Sequence, residues 1–357
     1  MTFAIAAAGT GGHVYPGLAV GEALVSLGVA PADVLYIGGS RLEATVYPRA
    51  GFPFLGVELR GLKRRLAWSN LGIPRVVVRA VTTIRAELEV RGTKALLGLG
   101  GYVTVPAGLA AGRSGARLAV AEQNAHAGLA NRLMSRRAVR VFGSFPETKG
   151  LPDADWVGNP IRRALSDFDR ERLVGPARRR WGLEADSPVV GVFGGSLGAG
   201  AINSAVEAML GTGDVPFQVL HLAGHGFEAM EKAARASGGR WVVLDFCDDM
   251  ESFYAACDLV IARAGGSVSE LTATATPAVL VPGGFGSGGH QLANATVLER
   301  AGAAIVVSEG RLGQLRQIVG ELAGDPARRR AMAEAASELA RPDAATVIAR
   351  SLMEMAS

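Results

Sequence analysis

The sequence predicts an α/β protein made of two doubly wound halves, each a parallel sheet flanked by helices. Three observations predict it. Short apolar runs alternate with stretches of helical spacing along the chain. The alternation restarts near residue 188. Both halves open in the same way, with a strand, a glycine turn and a helix.

In the first half, "FAIAAA" (3–8) reads as a short buried strand, and "GLAVGEALVSLG" (17–28) has helical spacing and stops on Gly28. The next strands are "DVLYIGG" (33–39), "ALLGLG" (95–100), "RLAVAEQN" (117–124) and "VRVFGS" (139–144), with helical patterns between them. "PVVGVFGGS" (188–196) then begins the second half, and "AGAINSAVEAML" (199–210) is its first helix. Five strands continue it: "FQVLHLAG" (217–224), "WVVLDF" (241–246), "LVIARAGG" (259–266), "PAVLVPGG" (277–284) and "AAIVVS" (303–308). Asn-Pro in "VGNPIRR" (157–163) breaks the local pattern and marks the join. The last segment, 343–355, is helical, and nothing in it fixes which half it joins.

A chain of 357 residues is long enough for two cores. It contains no uninterrupted run of 18 apolar residues, so no spanning helix is expected. The start is too short and too glycine-rich for a signal peptide, which makes a cytosolic location the expectation. Cys247 and Cys257 lack metal-ligand spacing and read as reduced, buried thiols. Charge is uneven. Residues 1–158 hold 18 Lys+Arg against 10 Asp+Glu, net +8, and residues 159–357 hold 19 against 23, net −4. A basic half suggests an anionic partner. No aromatic-and-basic motif accompanies the charge, so nucleic acid is not expected.

The two glycine turns, "GTGGH" and "GGSLGAG", each feed a helix N-terminus, where backbone N–H groups and a positive dipole end favour an anion. Neither is a dinucleotide fingerprint or a phosphate loop of the Lys-Ser/Thr kind. Glycine there also simply relieves crowding between strand and helix. His13 falls on the first turn of the first helix. The dipole disfavours imidazolium, so a neutral ring suited to general-base work is expected near pH 7, beside the plainer alternative of a structural histidine.

Eight blocks, in order, go further. They are "GTGGHVYPGLAV" (9–20), "GLGGYVTVPAGLAA" (98–111), "EQNAHAGLANRL" (122–133), "VGNPIR" (157–162), "GGSLGAGAIN" (194–203), "FCDDM" (246–250), "RAGGSVSEL" (263–271) and "HQLANA" (290–295). Through them the chain resembles, over nearly its full length, the MurG family of peptidoglycan N-acetylglucosaminyltransferases (glycosyltransferase family 28). The resemblance implies two Rossmann-like domains facing a central cleft, the GT-B architecture. It implies an acceptor-binding, membrane-associated domain over 1–158 plus 341–357, and a UDP-GlcNAc donor domain over 159–340. The reaction implied is inverting transfer of N-acetylglucosamine from UDP-GlcNAc to the 4-hydroxyl of the muramoyl sugar of lipid I, giving lipid II.

By the same resemblance His13 is the base and Asn124 a polar partner at the acceptor side, where Gly100, Gly101, Tyr102 and Asn131 also fall. Donor contacts fall to Thr10, Gly11, Gly12 and Ser196, with Arg162 as the cation facing the diphosphate, whose charge grows as the sugar leaves. Phe246, Cys247 and Met250 serve the uracil, Glu270 the ribose hydroxyls, and Gln291 and Asn294 the sugar. Apart from the resemblance, Phe246, Cys247 and Met250 also read as core at a strand end, and Glu270 as an ordinary first-turn acid. No cofactor is required, and any Mg²⁺ is auxiliary.

From Arg60 to Arg91 eight Lys+Arg face two Asp+Glu, with apolar residues interleaved. Lys63, Arg64, Arg65, Trp68, Leu71 and Ile73 make a patch suited to an anionic bilayer surface, or to a solvated helix rim. Lipid I is membrane-bound, so the expected location is peripheral, on the cytoplasmic face of the plasma membrane. The donor half departs from the family pattern. Leu197 replaces a usual glutamine and Gly200 a frequent arginine. Gly288 and Gly289 stand where two acids are common, and the segment before Glu270 is one residue short. These changes keep open a different lipid or small-molecule acceptor, or a nucleotide-sugar-binding protein with reduced catalysis. A dinucleotide oxidoreductase fits the alternation but not the paired halves or His13.

Overall fold

The structure is a computed structural model, and it describes residues 1–58, 73–195, 199–211, 213–235, 237, 239–283 and 289–357. The chain forms two compact units, Met1–Arg162 with Pro342–Ser357, and Arg163–Arg341.

Among the described residues the first unit is built on a seven-stranded sheet. Its strands are β1 (Thr2–Ala6), β2 (Val34–Gly38), β3 (Phe54–Gly56), β4 (Thr93–Gly98), β5 (Arg117–Glu122), β6 (Arg140–Gly143) and β7 (Asp155–Trp156). The order is β3-β2-β1-β4-β5-β6-β7, with every pairing parallel. Helices α1 (Gly11–Ser26), α2 (Glu43–Arg49), α3 (Ile73–Val90), α4 (Thr104–Ser114) and α5 (Leu129–Ser135) make the connections. Side chains alternate across a strand, so both faces are apolar. Phe3 and Ile5 join one core, and Ala4 and Ala6 join the other.

Among the described residues the second unit has β8 (Val189–Phe193), β9 (Gln218–Leu222), β10 (Trp241–Leu244), β11 (Leu259–Ala262), β12 (Ala278–Leu280) and β13 (Ala304–Val306). Their order is β10-β9-β8-β11-β12-β13, again parallel throughout. Its helices are α6 (Arg163–Ser166), α7 (Arg170–Arg180), α8 (Gly200–Gly211), α9 (Phe227–Arg235), α10 (Met250–Ala256), α11 (Ser267–Ala273), α12 (His290–Arg300), α13 (Leu315–Gly324) and α14 (Pro326–Leu339). The last helix, α15 (Ala344–Ala356), returns to the first unit, where Ile348, Ala349 and Leu352 bury among the α1 and β1 side chains.

Two features lay outside the sequence pattern. Strands β3 and β7 are too short to show a period. Helix α1 begins at Gly11, which puts His13 in its first turn as expected, and it runs through Pro16 into the helical spacing that starts at residue 17. Proline forfeits one ladder bond there, and packing compensates for it. The buried, stacked rings of Tyr36 and Tyr47 lie under α1, and their hydroxyls donate to the Gly17 and Val14 carbonyls at 3.0 and 3.1 Å. A Cβ on Gly21 would sit 1.8 Å from the Tyr36 hydroxyl, so only glycine lets α1 approach so closely.

Candidate active site

In both sheets the strand order reverses beside the first strand, between β1 and β4 and between β8 and β11. Connections leave in opposite directions there, which opens a crevice at the carboxyl ends of the strands.

At the β1/β4 switch point of the first unit, Thr10 caps α1 in extended backbone and is exposed, with Gly11, Gly12 and His13 half-buried behind it. The His13 and Val14 N–H groups turn back onto the Thr10 carbonyl at 3.0 and 3.2 Å. From β4 the chain passes through Gly100 and Gly101, at φ +94° and +73°. A Cβ on Gly100 would lie 3.0 Å from His13 Nε2 and 3.3 Å from Asn131 Nδ2, so His13, Gly100 and Asn131 meet at one point. Arg162, at the end of the same unit, stacks its guanidinium 5.1 Å from the centre of the Tyr15 ring, two residues after His13.

Two buried acids tie together the loops around this point, Glu122 through Asn131 and Glu43 through Gly9, Gly39 and Tyr102. Glu122, at the end of β5, accepts at Oε1 from the Asn124 backbone N–H at 3.0 Å and from Asn124 Nδ2 at 2.9 Å. At Oε2 it accepts from the Gly128 N–H at 3.0 Å and from Asn131 Nδ2 at 2.8 Å. Glu43 accepts from the Gly39 N–H at 3.0 Å, the Gly9 N–H at 3.3 Å and the Tyr102 hydroxyl at 3.3 Å. Burial, and then the Glu43 charge, push the Tyr102 hydroxyl above its ordinary range, which keeps it a donor. Neither acid stood out in the sequence. Glu43 had no motif, and the signal for Glu122 is only its place between a strand and two asparagines.

In the second unit, Glu270 lies in the first turn of α11 and accepts from the Tyr254 hydroxyl at 2.8 Å. Cys247 and Met250 are buried, whereas Phe246 is 54% exposed, so the core reading holds for the first two and fails for Phe246. The Cys247 thiol points back to the Asp249 carbonyl at 3.2 Å, and burial pushes it up. Asp249 caps α10. Burial alone would raise its carboxyl, but the Ser252 N–H and hydroxyl and the Arg180 guanidinium outweigh that and hold it low. Gln291 accepts from the Gly283 N–H at 2.7 Å. Asn294 is wholly buried and donates to the Ala264 carbonyl at 3.1 Å, bracing the turn after β11. Arg263, which the sequence did not single out, spans that turn, bonding the Val281 carbonyl at 3.0 Å and Glu309 at 2.6 Å. Gly200 opens α8, and Gly289 caps α12 at φ +74°.

Ser196, Leu197 and Gly288 lie outside the described residues, as do Lys63, Arg64, Arg65, Trp68 and Leu71, while Ile73 opens α3. Among the described residues no helix is long and apolar enough to cross a membrane, and no three His, Cys, Asp or Glu side chains gather as metal ligands. Both cysteines are free and buried.

The chain has full-length counterparts among known proteins. The chain is 41% identical to a protein of Halorhodospira halophila and 39% identical to one of Salinibacter ruber, covering 98% and 95% of their lengths. Both are named UDP-N-acetylglucosamine–N-acetylmuramyl-(pentapeptide) pyrophosphoryl-undecaprenol N-acetylglucosamine transferase. The crystal structure of MurG from Acinetobacter baumannii superposes with a TM-score of 0.80 at 29% identity, covering 99% of this chain and all of that one. A kitacinnamycin glycosyltransferase, at 17% identity and a TM-score of 0.71, shares the fold. Residues 3–143 match the glycosyltransferase family 28 N-terminal domain and residues 189–348 the C-terminal domain of the same family. With both domains matched in order and relatives alike along their whole length, the chain belongs to glycosyltransferase family 28.

Proposed function

We propose that the chain is an inverting transferase that moves N-acetylglucosamine from UDP-GlcNAc to the 4-hydroxyl of the muramoyl sugar of lipid I, forming lipid II. The observation that carries this is the meeting of His13, Gly100 and Asn131 at the first unit's switch point, in a chain alike end to end to enzymes named for that transfer.

In this mechanism His13 takes the proton of the acceptor hydroxyl as its oxygen bonds to the anomeric carbon, and UDP departs with the electrons of the broken C–O bond. Glu122 fixes Asn124 and Asn131 on the acceptor side, and Gly100, Gly101 and Tyr102 shape its wall. Thr10, Gly11, Gly12, Ser196 and Arg162 meet the diphosphate charge, with Mg²⁺ at most auxiliary. Phe246, Cys247 and Met250 serve the uracil, Glu270 the ribose, and Gln291 the sugar. Asn294 acts by bracing the turn that carries Glu270.

The acceptor is lipid-linked, and we place the chain peripherally at the cytoplasmic face of an anionic membrane. Two exposed surfaces of the first unit support this. Helix α3 shows Val76 and Val78 between Arg75 and Arg79, and α5 shows Leu129 and Leu133 beside Arg132 and Arg136. Apolar side chains framed by cations suit a headgroup boundary.

The deciding experiment is turnover with UDP-GlcNAc and a soluble lipid I analogue. Release of UDP with formation of the disaccharide supports the proposal. Transfer only to some other acceptor, or donor binding without transfer, refutes it.

A further inference from the structure

We propose that Tyr254 is a positioning residue for nucleotide recognition: its hydroxyl holds the Glu270 carboxylate in the orientation that receives the ribose hydroxyls. This rests on the assignment of Glu270 to the ribose.

Glutamate in the first turn of a helix is ordinarily a flexible, solvated side chain. Here it is tied from a neighbouring element. The Tyr254 hydroxyl donates to Glu270 Oε2 at 2.8 Å, a hydrogen bond of ordinary length. The tyrosine ring has no freedom to wander. It is wholly buried and sits edge-on to Phe193 and Phe253, with centroids 6.1 and 5.9 Å away. Phe193 ends β8, the strand that runs into the second glycine turn. The ring that anchors the acid is therefore wedged against the strand that delivers the phosphate-side turn.

The helices bearing these two residues are fixed to each other at their C-terminal ends. One Arg170 guanidinium, nearly buried, donates through Nη1 to the Tyr254 and Cys257 carbonyls at 2.9 and 2.7 Å. Through Nη2 it donates to the Thr274 carbonyl at 3.2 Å and the Thr276 hydroxyl at 2.7 Å. The C-terminal ends of α10 and α11 thus share one planar fork, which also suits the negative ends of their dipoles. With the two backbones locked through Arg170, one of whose bonds falls on the Tyr254 carbonyl itself, and the side chains joined by the Tyr254–Glu270 bond, the carboxylate is set before the nucleotide arrives. A preset acceptor loses little freedom on binding, so its contribution appears in donor affinity.

The test compares UDP-GlcNAc with its 2′-deoxyribose analogue in the parent enzyme, Tyr254→Phe and Glu270→Gln. The reading in each case is the ratio of kcat/KM for the two donors. Phenylalanine keeps the ring and removes only the hydroxyl. Because the ratio is taken within one preparation, a partly unfolded variant leaves it unchanged. The parent is expected to favour the ribose donor, and Glu270→Gln to lose most of that preference. In Tyr254→Phe the preference should fall about fivefold, through a higher KM for UDP-GlcNAc with kcat within about twofold. A Tyr254→Phe enzyme that keeps the parent's full preference, while Glu270→Gln loses it, overturns the positioning role and leaves the ribose assignment standing. A parent without preference, or Glu270→Gln with the parent's preference, overturns the ribose assignment and the positioning role together.

Discussion

Replacing Glu122 by glutamine tests whether a buried acid organises the acceptor side. The change keeps size and shape and alters only what the group can accept. Each carboxylate oxygen receives two N–H donors, from Asn124 at Oε1 and from Gly128 and Asn131 at Oε2. An amide has one oxygen. Whichever way it turns, two N–H donors face its NH₂ group and those bonds are lost. A hydrogen bond to a charged group contributes about 1.5–3 kcal/mol, so two of them put the loss near 3 kcal/mol even after partial rearrangement. In a unit of this size, that lowers the midpoint of thermal unfolding by about 6–12 °C. Calorimetry of parent and variant measures it. Turnover should fall at least about tenfold, because Asn124 and Asn131 lose their common anchor beside His13, while the KM for UDP-GlcNAc stays within about twofold. Equal midpoints and equal turnover would refute the idea that Glu122 organises this site.

Other outcomes follow from the same physics. His221 is wholly buried, and its Nε2 donates to Asn203 Oδ1 at 3.1 Å, since the Asn203 amide N–H is directed to the Ala223 carbonyl. Burial lowers its pKa from 6.5 to about 4, so between those values the unfolded chain binds the extra proton. The stability this gives is complete above pH 6.5 and drains away as pH falls to about 4, by about 3 kcal/mol in all. Urea unfolding from pH 7 to 4 should show that slope, and His221→Gln should flatten it; an equally steep variant argues against His221 as its source. Ala275 ends α11 at φ +48°, with the Thr276 N–H reaching the Leu271 carbonyl at 2.9 Å and its own N–H the Thr272 carbonyl at 3.1 Å. Ala275→Gly relieves that left-handed strain and should stabilise by about 0.5–1 kcal/mol, and a lower unfolding midpoint would contradict this. His13→Ala should keep UDP-GlcNAc binding and lose most of its turnover; undiminished turnover removes His13 from the chemistry. Reversing charge at Arg64 and Arg65 should lower sedimentation with anionic vesicles, and unaltered sedimentation leaves that stretch as scaffold.

Much of the fold is legible in the sequence because it depends on local rules. Parallel strands buried on both faces must be short apolar runs, so β1, β2, β4 to β6 and β8 to β13 announce themselves. A glycine turn before a helix marks the crevice end of a strand, which is how "GTGGH" singles out His13, whereas Gly100, Gly101 and Tyr102 are named only by the family resemblance. What stayed hidden depends on neighbours far along the chain. Pro16 lies inside α1, which continues through it because Tyr36 and Tyr47 pack beneath. Glu43 and Glu122 look like ordinary surface acids until the β1, β2, β4 and β5 loops converge on them. Tyr254 and Glu270 are 16 residues apart, and Arg170 lies a further 84 residues before Tyr254. The sequence by itself determined the alternation, the two halves and the glycine-lined ends of the strands, since periodicity and backbone freedom belong to each residue and its near neighbours. The tertiary structure decided which buried carboxylates receive which N–H groups, because a buried charge is stable only where distant segments bring it enough donors.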